Sequence, residues 1–327
     1  MALRRIVFQL DYLLNAQFSG LVTAASRGVY RSANLSVEFT EAWTNVARWD
    51  TQGAGQEPDI VAAASAAETD PATSHLGCVE LNVLMEARAR GVPVRAVAPM
   101  LGSSALALGM RPGADASGIA ALRGKRIGMH ADSLHLLSAL ANAHADLQME
   151  IVRVDAADKY RRLLDGDVDA IQIYDVTEPL ELDRLCGSAS AVLRLAPHVY
   201  DSPGYSQVMF AAEPPADAGA AEVEADALKR FVEATREGWR LALEDPERAA
   251  QQIMAARKGT GTYSKSGEQD SVEVQAAIIE RLRPYVAGGP SIDRAVWDSA
   301  EARLQSLGVL QGGSCGAAAL HPVASTV

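Results

Sequence analysis

The sequence predicts an α/β protein of two lobes, in which each lobe is a mostly parallel β-sheet flanked by helices. First, 327 residues are more than one hydrophobic core usually organises, and they suggest two units of about 150 residues. Second, short apolar runs typical of buried strands alternate with segments of helical periodicity, which is the pattern of βα units. Third, two strand-containing ends enclose a compact βαβαβ module in the middle of the chain.

The first hundred residues carry four apolar runs of strand length and two helical segments. The predicted strands are 6–10, 35–39, 59–63 and 94–98. The predicted helices are 20–27 and 83–90, and glycines at 28 and 91 end them. Because strands and helices alternate, we expect parallel pairing between successive strands.

The middle module and the return of the chain complete the predicted architecture. The module contains strands at 106–110, 125–129, 150–154 and 170–174 and helices at 119–122, 133–144 and 160–164. A strand at 207–211 follows, then helices at 226–244, 246–257, 271–285 and 292–307. We therefore expect lobe 1 to comprise 1–100 plus 205–310 and lobe 2 to comprise 101–204, with crossovers near 99–104 and 196–206. The Ala/Gly/Ser-rich tail at 311–327 is expected to be disordered.

The charge balance and the N-terminus restrict the partners and the location. Against 41 Asp and Glu stand 30 Lys and Arg, a net charge of −11, which argues against nucleic acid as a partner. The apolar run at 6–10 is interrupted by Asp11 and is shorter than the roughly 7–15 residues of a signal-peptide core. No run approaches the ~20 residues that span a bilayer. The chain as printed is thus expected to be cytoplasmic and not membrane-spanning, or periplasmic if a leader was removed.

Cysteine spacing and catalytic motifs indicate neither a metal site nor a standard catalytic centre. The three cysteines have no C-x-x-C spacing, which favours reduced thiols over zinc ligation. The sequence contains no G-x-S-x-G, Walker, H-E-x-x-H or G-x-G-x-x-G motif. We therefore assign no catalytic residue, metal ligand or cofactor from motifs.

Ligands of open α/β sheets bind outside the carboxyl ends of the strands, and five segments follow or approach such ends. The first segment follows the strand at 6–10 and contains Asp11, Tyr12, Asn15 and Gln17. A carboxylate, a phenol and two amides beside an aromatic ring suit a flat heteroaromatic ligand. Alternatively, Tyr12 and Phe18 pack in the core and Asp11 caps the next helix.

Two further segments lie at predicted helix starts. Glu80 and Asn82 precede the helix at 83–90, where backbone N–H groups could receive a polar group; alternatively, both are simple caps. His130, Asp132 and Ser133 lie at the strand-to-helix turn of the middle module. Because Asp132 would repel a phosphate and the turn has no glycine, this turn favours a neutral ligand. His130 is either a ligand contact or a structural histidine.

The last two segments lie near the predicted crossovers. Tyr174, Asp175 and Glu178 follow the strand at 170–174, and they are either cleft residues or hinge-packing and capping residues. Tyr205 and Ser206 lie on the second crossover, where the Tyr205 ring would be well placed to cover a bound heterocycle.

In the stretch 227–250 an amphipathic helix runs through the Gly238-Trp239 pair and stops at Asp245-Pro246, where a second helix begins. This pattern resembles the C-terminal part of two-lobed solute-binding proteins. It is particularly similar to the family shared by pyrimidine-uptake receptors and the eukaryotic thiamine-pyrimidine synthases. Further segments carry the same resemblance in the family's order, namely 10–39, 86–101, 122–132, 159–182 and 205–213.

The resemblance implies a periplasmic-binding-protein-like fold with two hinge crossovers. It further implies a receptor that binds a small heterocycle, such as a thiamine-pyrimidine precursor, with an ABC permease as partner if the protein is exported. The alternative is an intracellular synthase that builds hydroxymethylpyrimidine phosphate from pyridoxal phosphate and its own histidine. In such a synthase the Schiff-base lysine and donor histidine would fall at about Val79 and Val83, and its cysteine cluster at 202–206. Since this chain has none of these residue types there, the sequence favours the receptor.

Overall fold

The computed structural model describes residues 3–12, 14–40, 70, 72–155, 157–213, 215–257, 271–286, 291–310 and 320. The two ends of the chain form the first sheet from β1 (Arg4–Gln9), β2 (Leu35–Thr40), β3 (Thr73–Glu80), β4 (Val94–Pro99) and β10 (Gln207–Ala212). The middle forms the second sheet from β5 (Leu106–Met110), β6 (Arg126–Met129), β7 (Glu150–Arg153), β8 (Ala170–Tyr174) and β9 (Ala191–Arg194). The predicted α/β class with two sheets is confirmed.

Each sheet is mostly parallel, as predicted, with four strands in one direction and one strand reversed. The strand orders are β2-β1-β3-β10-β4 and β7-β6-β8-β5-β9. In the first sheet β1 pairs in parallel with β2 and β3, whereas β10 is antiparallel to β3 and β4. In the second sheet β6 is parallel to β7 and β8, and β5 is antiparallel to β8 and β9. The reversed strands are β5 and β10, and each of them directly follows a crossover. A crossover delivers the chain to the carboxyl edge of the parallel strands, so the strand that follows it runs in the opposite direction.

The predicted helices occur in the predicted order with shifted ends, and the four-residue helices at Val29–Ser32 and Ala196–Val199 were not predicted. They are α1 (Ser19–Ser26), α2 (Val29–Ser32), α3 (Leu81–Ala89), α4 (Leu134–Ala143), α5 (Lys159–Asp165), α6 (Glu178–Cys186), α7 (Ala196–Val199), α8 (Ala218–Glu244), α9 (Pro246–Arg257), α10 (Val272–Val286) and α11 (Arg294–Ser306). Short 3-10 helices cover Ala16–Phe18, Ile119–Leu122, Ala131–Ser133 and Ala145–Leu147. The α8 helix begins eight residues before the predicted 226, because the Asp217 side chain accepts a hydrogen bond from the Ala220 N–H at 2.8 Å and caps it.

Two predicted features lie wholly or mainly outside the described residues, and two observed strands were not predicted. The strand predicted at 59–63 lies outside them. The tail at 311–327 also lies outside except for Leu320, which forms a parallel bridge with Ala96 of the edge strand β4. The exact lobe boundaries stay a prediction. The strand β3 was missed, because His75 and Gly77 interrupt its apolar pattern, and the short β9 was missed as well.

Helix α1 packs on helix α8 at the Gly-Trp pair that the sequence singles out. A Cβ atom on Gly238 would lie 2.0 Å from the Gly20 carbonyl oxygen, and one on Gly20 would lie 2.3 Å from the Trp239 ring. Only glycine at both positions permits this approach. Since α1 follows the segment at 11–18, the contact also positions the first candidate site segment.

An aromatic stack holds α8 and α2 against the first sheet. The Phe8 and Phe231 rings lie 5.5 Å apart, and the Tyr30 and Phe231 rings 5.3 Å apart, both stacked. The Tyr30 hydroxyl lies 2.7 Å from Thr235 Oγ1. Each such ring pair contributes roughly 0.5–1.5 kcal/mol beyond its burial. Across the described residues, no helix is both long and apolar enough to cross a membrane.

Candidate functional site

The carboxyl ends of the parallel strands in the two sheets face each other. In the first sheet Gln207, the first residue of β10, pairs with Glu80, the last residue of β3. In the second sheet Leu106, the first residue of β5, pairs with Tyr174, the last residue of β8. Both crossovers therefore attach to these two edges, and the space between the edges is where ligands of α/β sheets bind.

A direct contact across the crossovers confirms that the two edges are opposed. His135 in the first turn of α4 places Nδ1 3.0 Å from Oε2 of Glu86 on α3. Helix α3 follows β3 of the first sheet, and helix α4 follows β6 of the second. The starts of these two helices carry Asn82 and Ser133, and apolar side chains of both helices, such as Leu84 and Leu136, belong to one hydrophobic cluster.

Asp11 is the centre of a buried polar cluster at the edge of the first sheet. Its side chain is 2% exposed. The Gln207 amide donates to both carboxylate oxygens of Asp11, at 2.6 and 2.8 Å, and the Cys78 thiol lies 3.5 Å from one of them. Burial and the Asp11 carboxylate raise the pKa of Cys78, so this thiol stays protonated and is a poor nucleophile.

Sequence reasoning missed Gln207. Its side chain is 1% exposed, and its Oε1 has no hydrogen-bond partner within the part of the chain that the structure describes. An unpartnered buried acceptor is costly, so a ligand N–H at this atom would be favourable. Its position could have indicated it, since Gln207 is a polar residue at the start of a strand that begins at the edge carrying the candidate site.

Glu80, Asn82 and Ser206 lie at the same edge. Glu80 is buried and its side chain makes no capping hydrogen bond to α3. The buried Asn82 amide donates to Glu86 Oε1 at 3.2 Å, and Ser206 accepts the Leu81 N–H at its carbonyl, at 3.1 Å. Ser206 is fully buried and ties the two crossovers together, since its Oγ accepts the Ala105 N–H at 3.4 Å.

The segment at 11–18 is held by contacts within itself and by side chains from distant elements, such as Gln275 and Arg257. Asn15 Oδ1 accepts the Gln17 N–H at 2.8 Å and so caps the short 3-10 helix. Gln17 is buried, and the Tyr12 ring is partly buried against the core of the first sheet. Tyr12 thus shows the core packing of the alternative interpretation, while Asp11 bonds across the sheet instead of capping a helix.

At the edge of the second sheet, Gln172 organises the turn after β6. Its Oε1 accepts the His130 N–H at 2.9 Å, and its Nε2 donates to Ser133 Oγ at 3.0 Å. Burial, and to a lesser degree the nearby Lys159 ammonium, lower the pKa of His130 to about 3. Its imidazole is therefore neutral, and among the described residues its Nε2 has no hydrogen-bond partner. The Asp132 side chain lies outside the described part.

Behind this turn lies a buried ion pair. Lys159 is 0% exposed, and its Nζ lies 2.7 Å from Glu178 Oε1 and 5.2 Å from the centre of the Tyr160 ring. Glu178 Oε2 accepts the Tyr174 N–H at 2.9 Å and the Thr177 hydroxyl. The predicted site residue Glu178 thus holds the end of β8 and neutralises Lys159.

The structure places Asp175 and Tyr205 away from the two polar clusters. Asp175 accepts the Tyr285 hydroxyl at 2.6 Å and Arg194 Nε at 2.6 Å. Tyr205 is 3% exposed, and its hydroxyl accepts the Asp293 N–H at 2.8 Å. Asp175 thus matches the hinge-packing alternative, whereas the Tyr205 hydroxyl is bonded to the start of α11.

The two edges together offer neutral and acidic groups rather than a metal or phosphate cradle. No group of His, Cys, Asp and Glu able to hold a metal ion occurs in the described ranges. Gln207, Asp11 and Glu80 supply hydrogen-bond acceptors at the edge of the first sheet, and the neutral His130 lies at the edge of the second sheet. Such a set suits an uncharged or N–H-bearing ligand.

Comparison with known proteins gives one family match. The family model described as "NMT1/THI5 like" matches residues 15–249, well over half of the chain. The matched range contains most of the candidate site, from Asn15 to Ser206, and the helix with the Gly-Trp pair. A search of curated proteins finds no match.

Solved structures share the fold at low identity. The periplasmic aliphatic sulphonate binding protein SsuA of Escherichia coli is 17% identical with a TM-score of 0.61, over 94% of this chain and 86% of that one. The alkanesulfonate-binding protein SsuA of Xanthomonas axonopodis pv. citri, bound to MOPS, is 15% identical with a TM-score of 0.61, over 98% of both chains. The periplasmic nitrate-binding protein NrtA of Synechocystis PCC 6803 is 10% identical with a TM-score of 0.54, over 90% and 74%. These likenesses show the fold.

Proposed function

Because the chain belongs to the NMT1/THI5-like family, we propose that it is a solute-binding protein that holds a small heterocycle between its two sheets. The observation that carries the proposal is the opposition of two buried polar clusters. One surrounds Asp11 and Gln207 and the other surrounds His130 and Gln172, and the His135–Glu86 contact joins their flanking helices. Closure of two sheets over a ligand would exclude water and complete its contacts.

The polar groups favour a ligand with N–H donors over an anion. Asp11 and Glu80 are buried carboxyl groups, and Gln207 Oε1 is a buried acceptor. A sulfonate or nitrate would meet these acceptors with its own oxygens, which is unfavourable in a buried site. The amino group of an aminopyrimidine would instead donate to them. This supports a thiamine-pyrimidine precursor or similar heterocycle as the ligand.

The synthase alternative finds less support in the described residues. Pyridoxal phosphate requires a lysine amine, and the lysine of the candidate site, Lys159, is fully buried in its ion pair with Glu178. The family positions for the lysine and histidine carry Val79 and Val83, both apolar and buried. These residues do not fit the cofactor, so we propose binding without pyridoxal phosphate. Periplasmic receptors among the structural relatives support an ABC permease as partner, should the protein be exported.

A thermal-shift panel tests the proposed ligand class. It contains the hydroxymethyl aminopyrimidine of thiamine, thiamine, riboflavin, pyridoxal phosphate and an alkanesulfonate. A ligand at about 100 times its Kd stabilises the protein by roughly 2.7 kcal/mol, which raises Tm by several degrees at about 2 °C per kcal/mol. We expect a rise with the aminopyrimidine and none with the alkanesulfonate. A rise with the alkanesulfonate alone would contradict the proposed chemistry.

A pair of matched variants tests the site. Gln207→Leu removes the unpartnered acceptor at the edge and should abolish the ligand-induced rise in Tm. Gln252→Leu removes a similar buried, unpartnered Oε1 on α9, away from both edges, and should leave the rise unchanged. Each rise is measured against the ligand-free Tm of the same variant. An undiminished rise in Gln207→Leu would remove Gln207 from the site.

A further inference from the structure

Helix α10 contacts both sheets, and Asp175 is its anchor on the second one. The Asp175 side chain is 5% exposed and follows β8 directly. The Tyr285 hydroxyl, near the end of α10, lies 2.6 Å from both carboxylate oxygens. Arg194 of β9 donates to Asp175 at 2.6 Å, and its guanidinium lies 6.0 Å from the centre of the Tyr285 ring. Two strands of the second sheet are thus bound to one tyrosine of α10.

The same tyrosine also holds the first crossover. The Tyr285 carbonyl accepts the Gly102 N–H at 2.6 Å, and the Asp175 N–H donates to the Ala105 carbonyl at 2.9 Å. The Tyr285 ring packs with Leu101, Ala105 and Val176 in one apolar cluster. The crossover is therefore enclosed between the end of β8 and the end of α10.

At its other end, α10 contacts the first candidate site segment. Gln275 Oε1 accepts the Ala16 N–H at 2.8 Å, between Asn15 and Gln17. Ten residues of helix separate Gln275 from Tyr285, which corresponds to about 15 Å. A single stiff element thus links the segment after β1 in the first sheet to the end of β8 in the second.

We propose that α10 is a brace that fixes the orientation of the two sheets in the ligand-free protein, with Tyr285 and Asp175 as its positioning residues. A two-sheet protein joined only by two crossovers would move freely about them. Here Tyr285 ties the crossover and the second sheet to a helix that is itself bonded to the site segment. Movement of the second sheet therefore requires breaking the Tyr285–Asp175 contact or moving α10 together with residues 14–17. The brace does not depend on which ligand is bound.

The test compares two tyrosine-to-phenylalanine variants of the ligand-free protein. Tyr285→Phe removes the hydroxyl that bonds Asp175 and leaves the ring and the carbonyl in place. Tyr30→Phe removes a buried hydroxyl that bonds Thr235 within one side of the first sheet, and it is the matched control. Asp175→Asn keeps an acceptor for Tyr285 while removing the charge that pairs with Arg194, and it serves if Tyr285→Phe does not fold.

The readout is the distance between spin labels on the two sides, measured by double electron-electron resonance. The labels are carried by cysteines at the exposed Glu222 on α8 and Arg161 on α5, with Cys186 and Cys315 changed to serine. We expect one narrow distance in the wild type and in Tyr30→Phe. In Tyr285→Phe we expect a broad distance distribution in place of the narrow one. In Asp175→Asn we expect a smaller broadening. Distributions for both Tyr285→Phe and Asp175→Asn that superimpose on the wild type would overturn the brace.

Discussion

Gly238→Ala is expected to destabilise the protein, because the new methyl group has no space between α1 and α8. Its Cβ would lie 2.0 Å from the Gly20 carbonyl oxygen and 2.8 Å from Ala24 Cβ. Ordinary van der Waals contact begins at 3.4 Å, and the nearest atom belongs to backbone. The two helices would therefore have to move apart.

The magnitude follows from two opposing effects. Overpacking of a core contact costs about 1–3 kcal/mol, and a backbone overlap of this size belongs at the upper end. Alanine regains up to about 1 kcal/mol of helix propensity over glycine. The net loss in the free energy of unfolding is therefore about 2 kcal/mol, or about 4 °C in Tm.

The assay is urea and thermal unfolding followed by circular dichroism, with Gly219→Ala as the control in the same helix. A Cβ on Gly219 would meet only Asp217 Oδ1, at an ordinary 3.4 Å. That variant should be as stable as the wild type or more stable by up to about 1 kcal/mol. Equal stabilities of Gly238→Ala and Gly219→Ala would refute the close approach of α1 and α8.

Two further predictions concern the second sheet. The pKa of His130 is about 3 in the folded protein against 6.5 in the unfolded chain. As the pH decreases below about 6.5, the unfolded chain therefore binds a proton that the folded protein does not, and the free energy of unfolding decreases. Because His130 is partly exposed, we expect a loss of about 1 kcal/mol between about pH 6.5 and 5. The same urea titrations on His130→Asn should show this loss reduced, and an unchanged pH dependence would contradict the neutral imidazole. Lys159→Met leaves Glu178 buried without its cation, and it should lower the free energy of unfolding by about 3 kcal/mol. In Lys159→Met/Glu178→Gln part of that loss should be recovered, whereas a Lys159→Met protein of wild-type stability would show that the ion pair contributes nothing.

The strands with uninterrupted apolar runs were predictable from the sequence. The bounds of β5 and β8 are the predicted ones, because polar residues limit these five-residue runs: Arg111 follows β5, and Asp169 and Asp175 flank β8. Strand β3 was not predictable in this way, since His75 and Gly77 break its pattern while the neighbouring strands still bury it on both sides. The mixed pairing of the sheets depends on where the crossovers enter, which local periodicity does not contain.

The same distinction between local order and long-range contacts applies to the residues of the candidate site. The positions of Asp11 and His130 next to strand ends were predictable, because they depend only on local order. Gln207 was missed because its partner Asp11 is 196 residues away in the sequence. Asp175 was assigned to the ligand because the Tyr285 hydroxyl that occupies it is 110 residues away. Contacts over such separations are set by the topology of the sheets rather than by local pattern.

The central claim is that one ligand contacts the edges of both sheets. Hydrogen exchange of the protein with and without the hydroxymethyl aminopyrimidine of thiamine, read by mass spectrometry, tests it most directly. We expect slower exchange in the presence of the ligand at residues 11–18 and 80–84 of the first sheet and at residues 130–134 of the second. Slower exchange on one sheet alone, or no change at a saturating pyrimidine concentration, would contradict it.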